Sequence, residues 1–560
     1  MAKRTIRLPQ KTGNLPALLT LEITKHTDVL IVGAGPSGLM MAAQLLRFGI
    51  QPTIIDAKQG PDRTSKAIAV HARTLELLRQ MGLADQLLAE GFPCYGIQVQ
   101  GRKKTLGSVE FAHVDQPHTA FPFILLVGQE KTEKLLIDRL TAHACPVVWE
   151  TRLLSLRQDD RSATVELMHD GIVQRWKCNW LIGADGAGSA VRNGLGIPFE
   201  GKRYIGKFFL ADVYIEGAYN RLVHFFLPRS RFLGIFPLGA EGRYRLVGML
   251  PENEEWQHKT AIQYADIKPL VDEAVGFELP VSRCLWVSRF LLHKRMAEQF
   301  ARQRCFLIGD AAHIHSPIGG QGMNSGMQDA VNLAWKLAGV VSGRMGPQVL
   351  HTYQQERMPV AKTVVHATDR AFGLAMRLRT WLSPLRDILL STGMRYVGGN
   401  PHLLEKVFDT VAQLTIHYRK AGLAIHHATG RRVQAGDRLP FLTVFDEKAK
   451  TQTDLHRWCE KPGFVLLLLG TINHHHLNII GQWMRQKYPR EMHFYYLPYS
   501  LRNQQVFDTF EVKPDGTKII LVRPDMHIGY INDMLNISLI DTYMEEVIGW
   551  KYFGHLPENR

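Results

Sequence analysis

The sequence predicts an α/β protein. A doubly wound, Rossmann-like nucleotide-binding unit carries an inserted, mainly antiparallel β-sheet, and a smaller α/β unit follows it. Three observations lead there: a strand, glycine turn and helix at residues 28–46, a strand-rich stretch over 199–286, and isolated apolar strands after a loop-like segment at 430–440.

Asp28-Val29-Leu30-Ile31-Val32 is a short apolar run suited to a central parallel strand, and residues 39–46, LMMAAQLL, continue as a helix with few β-branched residues. Between them stand Gly33, Gly35 and Gly38, with Ser37 beside the last. The first glycine permits a tight turn and the second lets backbone amides approach a pyrophosphate. The third lets the helix pack closely on the strand, with its N-terminal dipole facing the anion. A second apolar strand, 52–55, ends in Asp56 and Ala57, where a carboxylate can accept hydrogen bonds from a ribose hydroxyl.

The chain of 560 residues is long enough for roughly three or four domains, and its 45% hydrophobic and 21% charged residues are a soluble globular balance. The formal charge of +15 is carried by scattered basic residues without a nucleic-acid-binding motif, so dinucleotide phosphates and an anionic substrate are sufficient partners for it. Cys94, Cys145, Cys178, Cys284, Cys305 and Cys459 lack CxxC or zinc-ligand spacing. Reduced thiols in a cytoplasmic protein with no metal are expected. Residues 1–25 read as a flexible extension without the apolar core of a signal peptide, and no apolar run is long enough to cross a bilayer.

Lys66 and Arg73 put positive charge just beyond the nucleotide unit, either as solvated surface charges or as cofactor contacts; a helix is expected over 70–78. Gln129 stands where a strand end leads into a helix over 132–143, able to donate to a ligand or merely to cap the turn. Short strands with a turn at Asp170-Gly171 lead to Gly183-Ala184-Asp185-Gly186, a carboxylate and a sharp turn at the carboxyl edge of a sheet, where open α/β folds bind ligands. The second long signal runs from Arg304 through Gly309-Asp310, Ser316-Pro317 and Gly319-Gly320-Gln321-Gly322-Met323-Asn324 into a helix through Leu337.

GAGPSG, GADGAGSAVR and GDAAHIHSPIGGQGMNSGMQDAVNLAWKLA, in that order, resemble the three signatures of the single-component FAD-dependent aromatic hydroxylases. These are the class A flavoprotein monooxygenases of the p-hydroxybenzoate hydroxylase and phenol hydroxylase type. The resemblance implies that Gly33, Gly35, Ser37, Gly38, Asp56 and Ala57 hold the pyrophosphate and adenosine ribose of FAD, with Lys66, Arg73 and Gln129 also on the cofactor. It implies that Asp185 and Gly186 touch both FAD and the nicotinamide nucleotide, and that Asp310 meets the ribityl chain. Gly320, Gln321, Gly322, Met323 and Asn324 would present amides and a helix N-terminus to the pyrimidine edge of the flavin. Pro317 would sit beside the reactive face, its carbonyl directed at a phenolic hydroxyl. Ser65-Lys66-Ala67 departs from the pattern, having lysine where the family commonly places arginine. The implied chemistry is reduction of FAD by NADPH or NADH, reaction with O2 to a flavin C4a-hydroperoxide, and transfer of one oxygen to an aromatic ring. An epoxidase or dehydrogenase of the same fold, or a non-catalytic flavin-bound interaction protein, is the alternative.

The expected organisation is a flexible extension (1–25), a discontinuous FAD-binding domain (26–198 and 287–400) and a substrate-binding sheet (199–286, with 95–122 as a candidate addition). A helical connection (401–430) and a C-terminal domain (431–560) complete it. The last resembles the thioredoxin-like domain of the phenol hydroxylase branch and has no CxxC. His224, Phe236 and Arg245 in the inserted sheet are candidates to line the substrate pocket, strand alternation leaving open which of them point inward. Residues 371–390 read as a basic amphipathic helix for interhelical or subunit packing, and a homodimer is a candidate assembly. His474, His475 and His476 read as a polar surface turn, since three consecutive residues cannot converge on one ion.

Overall fold

The computed structural model describes residues 23–552 apart from 63–66, 102–104, 112–117, 218–221, 228–231, 240–241, 252, 254–255, 257–258, 260, 317 and 381–382. Lys66 and Pro317, two of the expected site residues, therefore lie outside the described residues.

In chain order the first unit contributes β1 (Ile23–Val32), α1 (Pro36–Arg47), β2 (Thr53–Ile55), β3 (Ala69–Val70), α2 (Ala72–Arg79) and α3 (Ala84–Glu90). There follow β4 (Phe92–Cys94), β5 (Gly96–Gln100), β6 (Thr105–Glu110), β7 (Ile124–Leu126), α4 (Gln129–Ala142), β8 (Thr151–Gln158), β9 (Ala163–His169), β10 (Ile172–Gly183) and α5 (Ala190–Gly194). Next come β11 (Phe199–Ile215), β12 (Val223–Phe226), β13 (Leu233–Pro237), β14 (Arg243–Met249), α6 (Tyr264–Val275) and β15 (Val281–Ala297). The chain returns through β16 (Ala301–Arg302), β17 (Cys305–Leu307), β18 (His313–Ile314), α7 (Gln321–Val341), α8 (His351–Thr380), α9 (Ser383–Gly398) and α10 (Pro401–Val411). The C-terminal unit holds β19 (Ile425–His426), β20 (Thr443–Asp446), β21 (Thr451–Asp454), β22 (Phe464–Gly470), α11 (His474–Lys487), β23 (Met492–Pro498), α12 (Gln504–Thr509), β24 (Thr517–Val522), β25 (Ile528–Asn532) and α13 (Ile537–Thr542).

The central sheet runs β16-β17-β10-β1-β2, with β17, β10, β1 and β2 parallel, and the β8-β9 hairpin attaches to β10. Residues 29–32 of β1 are apolar without alternation because both faces of a parallel sheet are covered. One cover is α1, which packs against α7. Nearly all of α7 is buried, including Asp329 and Lys336, so its charges must find partners inside the protein.

The second sheet runs β18-β15-β11-β14-β13-β12-β5-β6 and is antiparallel except for the β12–β5 pair. It takes strands from 96–110 as well as from the expected stretch, and β15 carries it past residue 286. One face packs on α6 through Val213, Ile215, Leu246, Ile267 and Val271. The other face turns toward the first unit: Val223, Phe225 and Phe236 pack with Ala69, Phe92, Cys94 and Leu126, which belong to the small β3-β7-β4 sheet. The third main sheet runs β19-β25-β24-β22-β23; β22 and β23 are parallel across α11, and β24 is antiparallel to both β22 and β25. Residues 523–527 form the turn between β24 and β25.

Of the stretch 371–390, residues 386–390 have described side chains: Arg386 is buried and donates to Asp387 and to the Leu227 carbonyl, whereas Ile388 and Leu389 are exposed. One expectation changes here. His474, His475 and His476 are exposed, as a surface turn would be, but form the first turn of a helix, because the Asn473 side chain accepts from the His476 amide and caps it. Among the described residues no helix is long and apolar enough to cross a membrane.

Within the second sheet, Asp212 and Arg245 are both wholly buried. Arg245 donates from Nε and Nη2 to the two Asp212 oxygens at 2.6 and 3.0 Å, with further donors from Arg243 (2.9 Å) and the Trp286 indole (3.2 Å). Removing one member of such a pair strands a charge in a low-dielectric interior. Asp212→Ala is expected to lower unfolding stability by about 3–5 kcal/mol, read as a denaturant midpoint; a loss under about 1 kcal/mol would show that the pair behaves like a solvated one.

Candidate functional site

Three backbone turns meet at the carboxyl end of the central sheet. The first follows β1. Gly33 has φ +108°, and a Cβ on it would lie 2.3 Å from the Ala184 carbonyl oxygen; one on Gly38 would lie 1.9 Å from the Gly33 oxygen. These two positions exclude any side chain, so β1, the end of β10 and the start of α1 can touch. Gly35 differs: a Cβ there meets no atom within 4 Å, leaving an open cradle before α1, whose N-terminus has no side-chain cap. Asp56 borders this cradle, its Oδ2 accepting from the Ala34 amide (2.7 Å) and its Oδ1 from Lys58 (2.9 Å), with Ala57 exposed beside it.

The second turn is the 3-10 turn Gly309–Ala311, which carries the exposed Asp310. Ser37 lies against it: a Cβ on Gly309 or on Gly326 of α7 would come within 2.3 Å of Ser37 Oγ. Asp329 Oδ2 accepts from the Gly309 amide (3.1 Å) and from His313 Nε2 (2.7 Å), while its Oδ1 accepts from Arg357 Nε (2.7 Å). Burial opposes ionisation of Asp329, but Arg357 and His313 outweigh it and hold the carboxyl below its usual range.

The third turn leads into α7. Gly319 and Gly320 both adopt left-handed backbone, with φ +78° and +64°, and a Cβ on Gly320 would lie 2.6 Å from that of Ala69. Asn324 clamps the turn. Its Oδ1 accepts from the His71 amide (2.9 Å) and Thr74 Oγ1 (2.8 Å), and its Nδ2 donates to the carbonyls of Ala69 and Gly320 (both 2.8 Å). His71 Nε2 donates to the Gly319 carbonyl at 2.8 Å, and burial pushes the ring down to about 4, so it stays neutral. Gln321 donates to the Val411 carbonyl and accepts from Gln413. The side chains of Gln321 and Asn324 thus serve the protein, and the start of α7 offers the backbone amides of Gln321, Gly322 and Met323, which no side chain caps.

Three further expected residues follow. Asp185 accepts from Ser189 Oγ (2.5 Å) and the Val191 amide (3.1 Å), and Gly186 has φ +74°. Burial raises the Asp185 carboxyl above its usual range. Arg192, stacked 3.8 Å over Phe199, ties this turn to the second by donating to the carbonyls of Ala187 and Ala311. Gln129 begins α4, donates to Glu133 (2.7 Å) and accepts from the Ala67 amide (3.3 Å).

Arg73 is neither a solvated surface charge nor directed into the cradle. It is buried, donating to the Asp525 carbonyl (2.7 Å) and to Glu76 (3.1 Å). In the second sheet, Phe236 and Arg245 are cross-strand partners and share the face turned toward the first unit; His224 lies opposite Ile235, on the face covered by α6, which argues against it as a pocket residue. Arg245 is paired within the sheet by Asp212, and Arg243, two residues earlier, comes within 3.8 Å of Glu130 at the start of α4. Arg243, Asp329 and Arg357 were not among the expected residues; the one sequence signal was charge placed within helical or strand patterns that are otherwise buried.

The residues present fit a dinucleotide cofactor: an open cradle at Gly35, a carboxylate beside it, and an uncapped helix N-terminus at the other end. Comparison with known proteins agrees. A family model described as FAD binding domain matches residues 26–368. The chain is 36% identical over 409 residues to 6-methylpretetramide 4-monooxygenase of Streptomyces rimosus, covering 72% of this chain and 70% of that one. It is 31% identical over 419 residues to pentachlorophenol 4-monooxygenase of Sphingobium chlorophenolicum, covering 74% and 75%. Among solved structures, the OxyS anhydrotetracycline hydroxylase from Streptomyces rimosus superposes with a TM-score of 0.72 at 27% identity, over 94% of this chain and 99% of that one.

The space beside Gly35 gives a clean test. A Cβ at position 35 meets no protein atom within 4 Å, so Gly35→Val should fold with near wild-type stability yet be isolated colourless and fail to take up added FAD. Normal flavin content in that variant would show that the glycine serves only the turn.

Proposed function

Because the chain belongs to the FAD-binding-domain family of flavoprotein aromatic monooxygenases, we propose that it holds FAD across the three turns and hydroxylates a phenolic or polyketide-like aromatic compound. The observation that carries this reading is the convergence of the Gly35 cradle, the Asp310 turn and the uncapped start of α7 at one end of one sheet. The protein is an FAD-dependent monooxygenase that uses NAD(P)H and O2. When bound, FAD reduced by the nicotinamide nucleotide would activate O2, one of whose atoms goes to the ring while the other leaves as water.

The chain's own residues would do the rest. Amides beside Gly35 and the α1 dipole bind the pyrophosphate, and Asp56, with lone pairs beyond those that Ala34 and Lys58 use, accepts from the adenosine ribose. Asp310 accepts from the ribityl chain. Asp185 and Gly186 border the same groove, and Gln129 orders the segment after residue 66 beside it. The amides of Gln321, Gly322 and Met323, with the dipole of a 21-residue helix behind them, stabilise negative charge on the reduced flavin. Phe225 and Phe236, with the cluster formed by Phe208, Phe232, Met249 and Phe290, give the second sheet an apolar inner face that positions an aromatic ring and excludes water. The names of the relatives, a pretetramide and a chlorophenol monooxygenase, support a phenolic substrate.

The organisation proposed is a discontinuous FAD-binding domain, a substrate sheet fed from both 96–110 and 199–297, and a C-terminal thioredoxin-like domain. The order β23-β22-β24-β25, with its parallel β22-α11-β23 crossover and antiparallel hairpin, supports the last. It has no thiol chemistry to offer, since burial pushes the Cys459 thiol up to about 12.

The function is tested by screening phenolic compounds for stimulated NAD(P)H oxidation under isotopically labelled O2. One labelled atom in the product is expected; oxidation that yields only hydrogen peroxide with every phenol tried would overturn the substrate class. The role of α7 has its own test. Gly322→Pro removes one amide in the first helical turn, where proline is tolerated, and should make flavin reduction less favourable by about 1–2 kcal/mol, a fall of about 20–40 mV. An unchanged potential in the flavin-loaded fraction would contradict the electrostatic role.

A further inference from the structure

The turn at residues 523–527 of the C-terminal sheet is inserted between α2 on one side and α7 and α8 on the other; it is buried, and its Arg523 and Asp525 carry a dense set of polar contacts there. Arg523 donates to both oxygens of Glu356 (2.6 and 2.9 Å) and to Asp525 (2.5 and 3.1 Å). Glu356 also accepts from Lys336 and Asn332 of α7 (both 2.7 Å), and Asp525 from the Trp335 indole (3.2 Å). Burial opposes the charges, lowering Lys336 to about 8; for Glu356 the attraction of Arg523 and Lys336 outweighs burial and keeps the carboxyl low. Buried ion networks are poor stabilisers compared with apolar packing of the same volume, but they are strongly directional. Four charges here hold one turn in one position.

Two paths lead from that turn to the backbone turns of the cofactor groove. On the first, the Asp525 carbonyl accepts from Arg73, and Glu76 holds the same guanidinium together with Arg438 (3.1 Å). Arg73 lies between His71 and Thr74, which both donate to Asn324, the clamp of the Gly319-Gly320 turn. On the second, the His527 ring packs 4.3 Å from that of Tyr418, whose hydroxyl accepts from Arg357 Nη1 (3.1 Å). Arg357 also donates to the Ser325 carbonyl in α7 (3.1 Å) and to Asp329, and Asp329 holds the amide of Gly309. Both paths end on backbone that faces the groove.

We propose that Arg73 and Arg357 are positioning residues, through which the 523–527 turn of the C-terminal sheet sets the geometry of the flavin end of the site. This rests on the FAD assignment above. A thioredoxin-like unit kept without reactive thiols would then serve as a buttress for the cofactor groove. Arg73, whose charge and place in the sequence mark it as a cofactor contact, would act one residue removed, through Asn324.

The test uses the full-length protein loaded with FAD. Arg73→Met removes the bond to Asp525, whereas Arg73→Lys retains a donor that can reach the same carbonyl. Asp541→Asn serves as a control: this carboxylate gathers Trp483, Lys487 and Tyr488 within the C-terminal unit and lies on neither path. Arg73→Met is expected to weaken FAD binding at least five-fold and to shift the midpoint potential and visible absorption of the flavin that remains bound. Arg73→Lys should recover most of both, and Asp541→Asn should lower thermal stability while leaving both unchanged. If Arg73→Met lowers stability as the control does but leaves FAD affinity, potential and spectrum at wild-type values, the role is structural and the proposal falls. If Arg73→Lys behaves as Arg73→Met does in affinity and potential, the bond to Asp525 is not the means, which also overturns it. A wild-type protein that takes up no FAD would instead overturn the FAD assignment on which the proposal rests.

Discussion

The site depends on backbone meeting backbone with no side chain between. At Gly33 and Gly38 the end of β1, the start of α1 and the Ala184 carbonyl come within distances that a single methyl would forbid, and at Gly309 and Gly326 only the Ser37 hydroxyl fits where α1, the second turn and α7 cross. A Cβ at Gly33, Gly38 or Gly326 would meet backbone of a neighbouring element and push apart the elements whose ends form the groove, and one at Gly309 would displace the Ser37 hydroxyl. Gly35 lies in the same loop without that constraint, and the contrast separates glycines that close the fold from one that leaves room for a ligand.

Around this crossing the protein uses charge where apolar packing would be the simpler way to fill space. Asp329, Arg357, Glu356, Lys336, Arg523 and Asp525 are all buried, and each has an oppositely charged partner within 3 Å. A greasy interface between the C-terminal sheet and α7 would tolerate small slides. Directional bonds to Gly309 N and Ser325 O do not, because displacement leaves a buried charge without its partner. The inner face of the second sheet, by contrast, carries aromatic and aliphatic side chains beside its one buried ion pair, where an aromatic ring requires shape more than direction.

Local features of this fold were legible in the sequence, and long-range ones were not. The β1-turn-α1 unit, the turn at Asp170-Gly171 and the start of α7 near Gly320 are written in neighbouring residues, and they occur where the pattern predicts them. Arg73 was misread because its partner stands 452 positions away, and the clamping role of the Asn324 side chain was out of reach because three of its four partners, Ala69, His71 and Thr74, lie some 250 positions earlier. For His224, Phe236 and Arg245 the alternation of a strand gives two faces but not which one is inward; the register of β12, β13 and β14, with α6 on one side, decides it. The burial of Arg386 was out of reach for a similar reason, since its carbonyl partner Leu227 stands 159 positions away, just after β12.

The most direct measurement is a crystal structure of the protein with FAD bound. The pyrophosphate is expected in the space beside Gly35, the ribose within hydrogen-bonding distance of Asp56, and the pyrimidine edge of the flavin facing the amides of Gly322 and Met323. A flavin whose pyrophosphate lies away from Gly35, or whose ring leaves the start of α7 facing solvent, would contradict this placement of the cofactor.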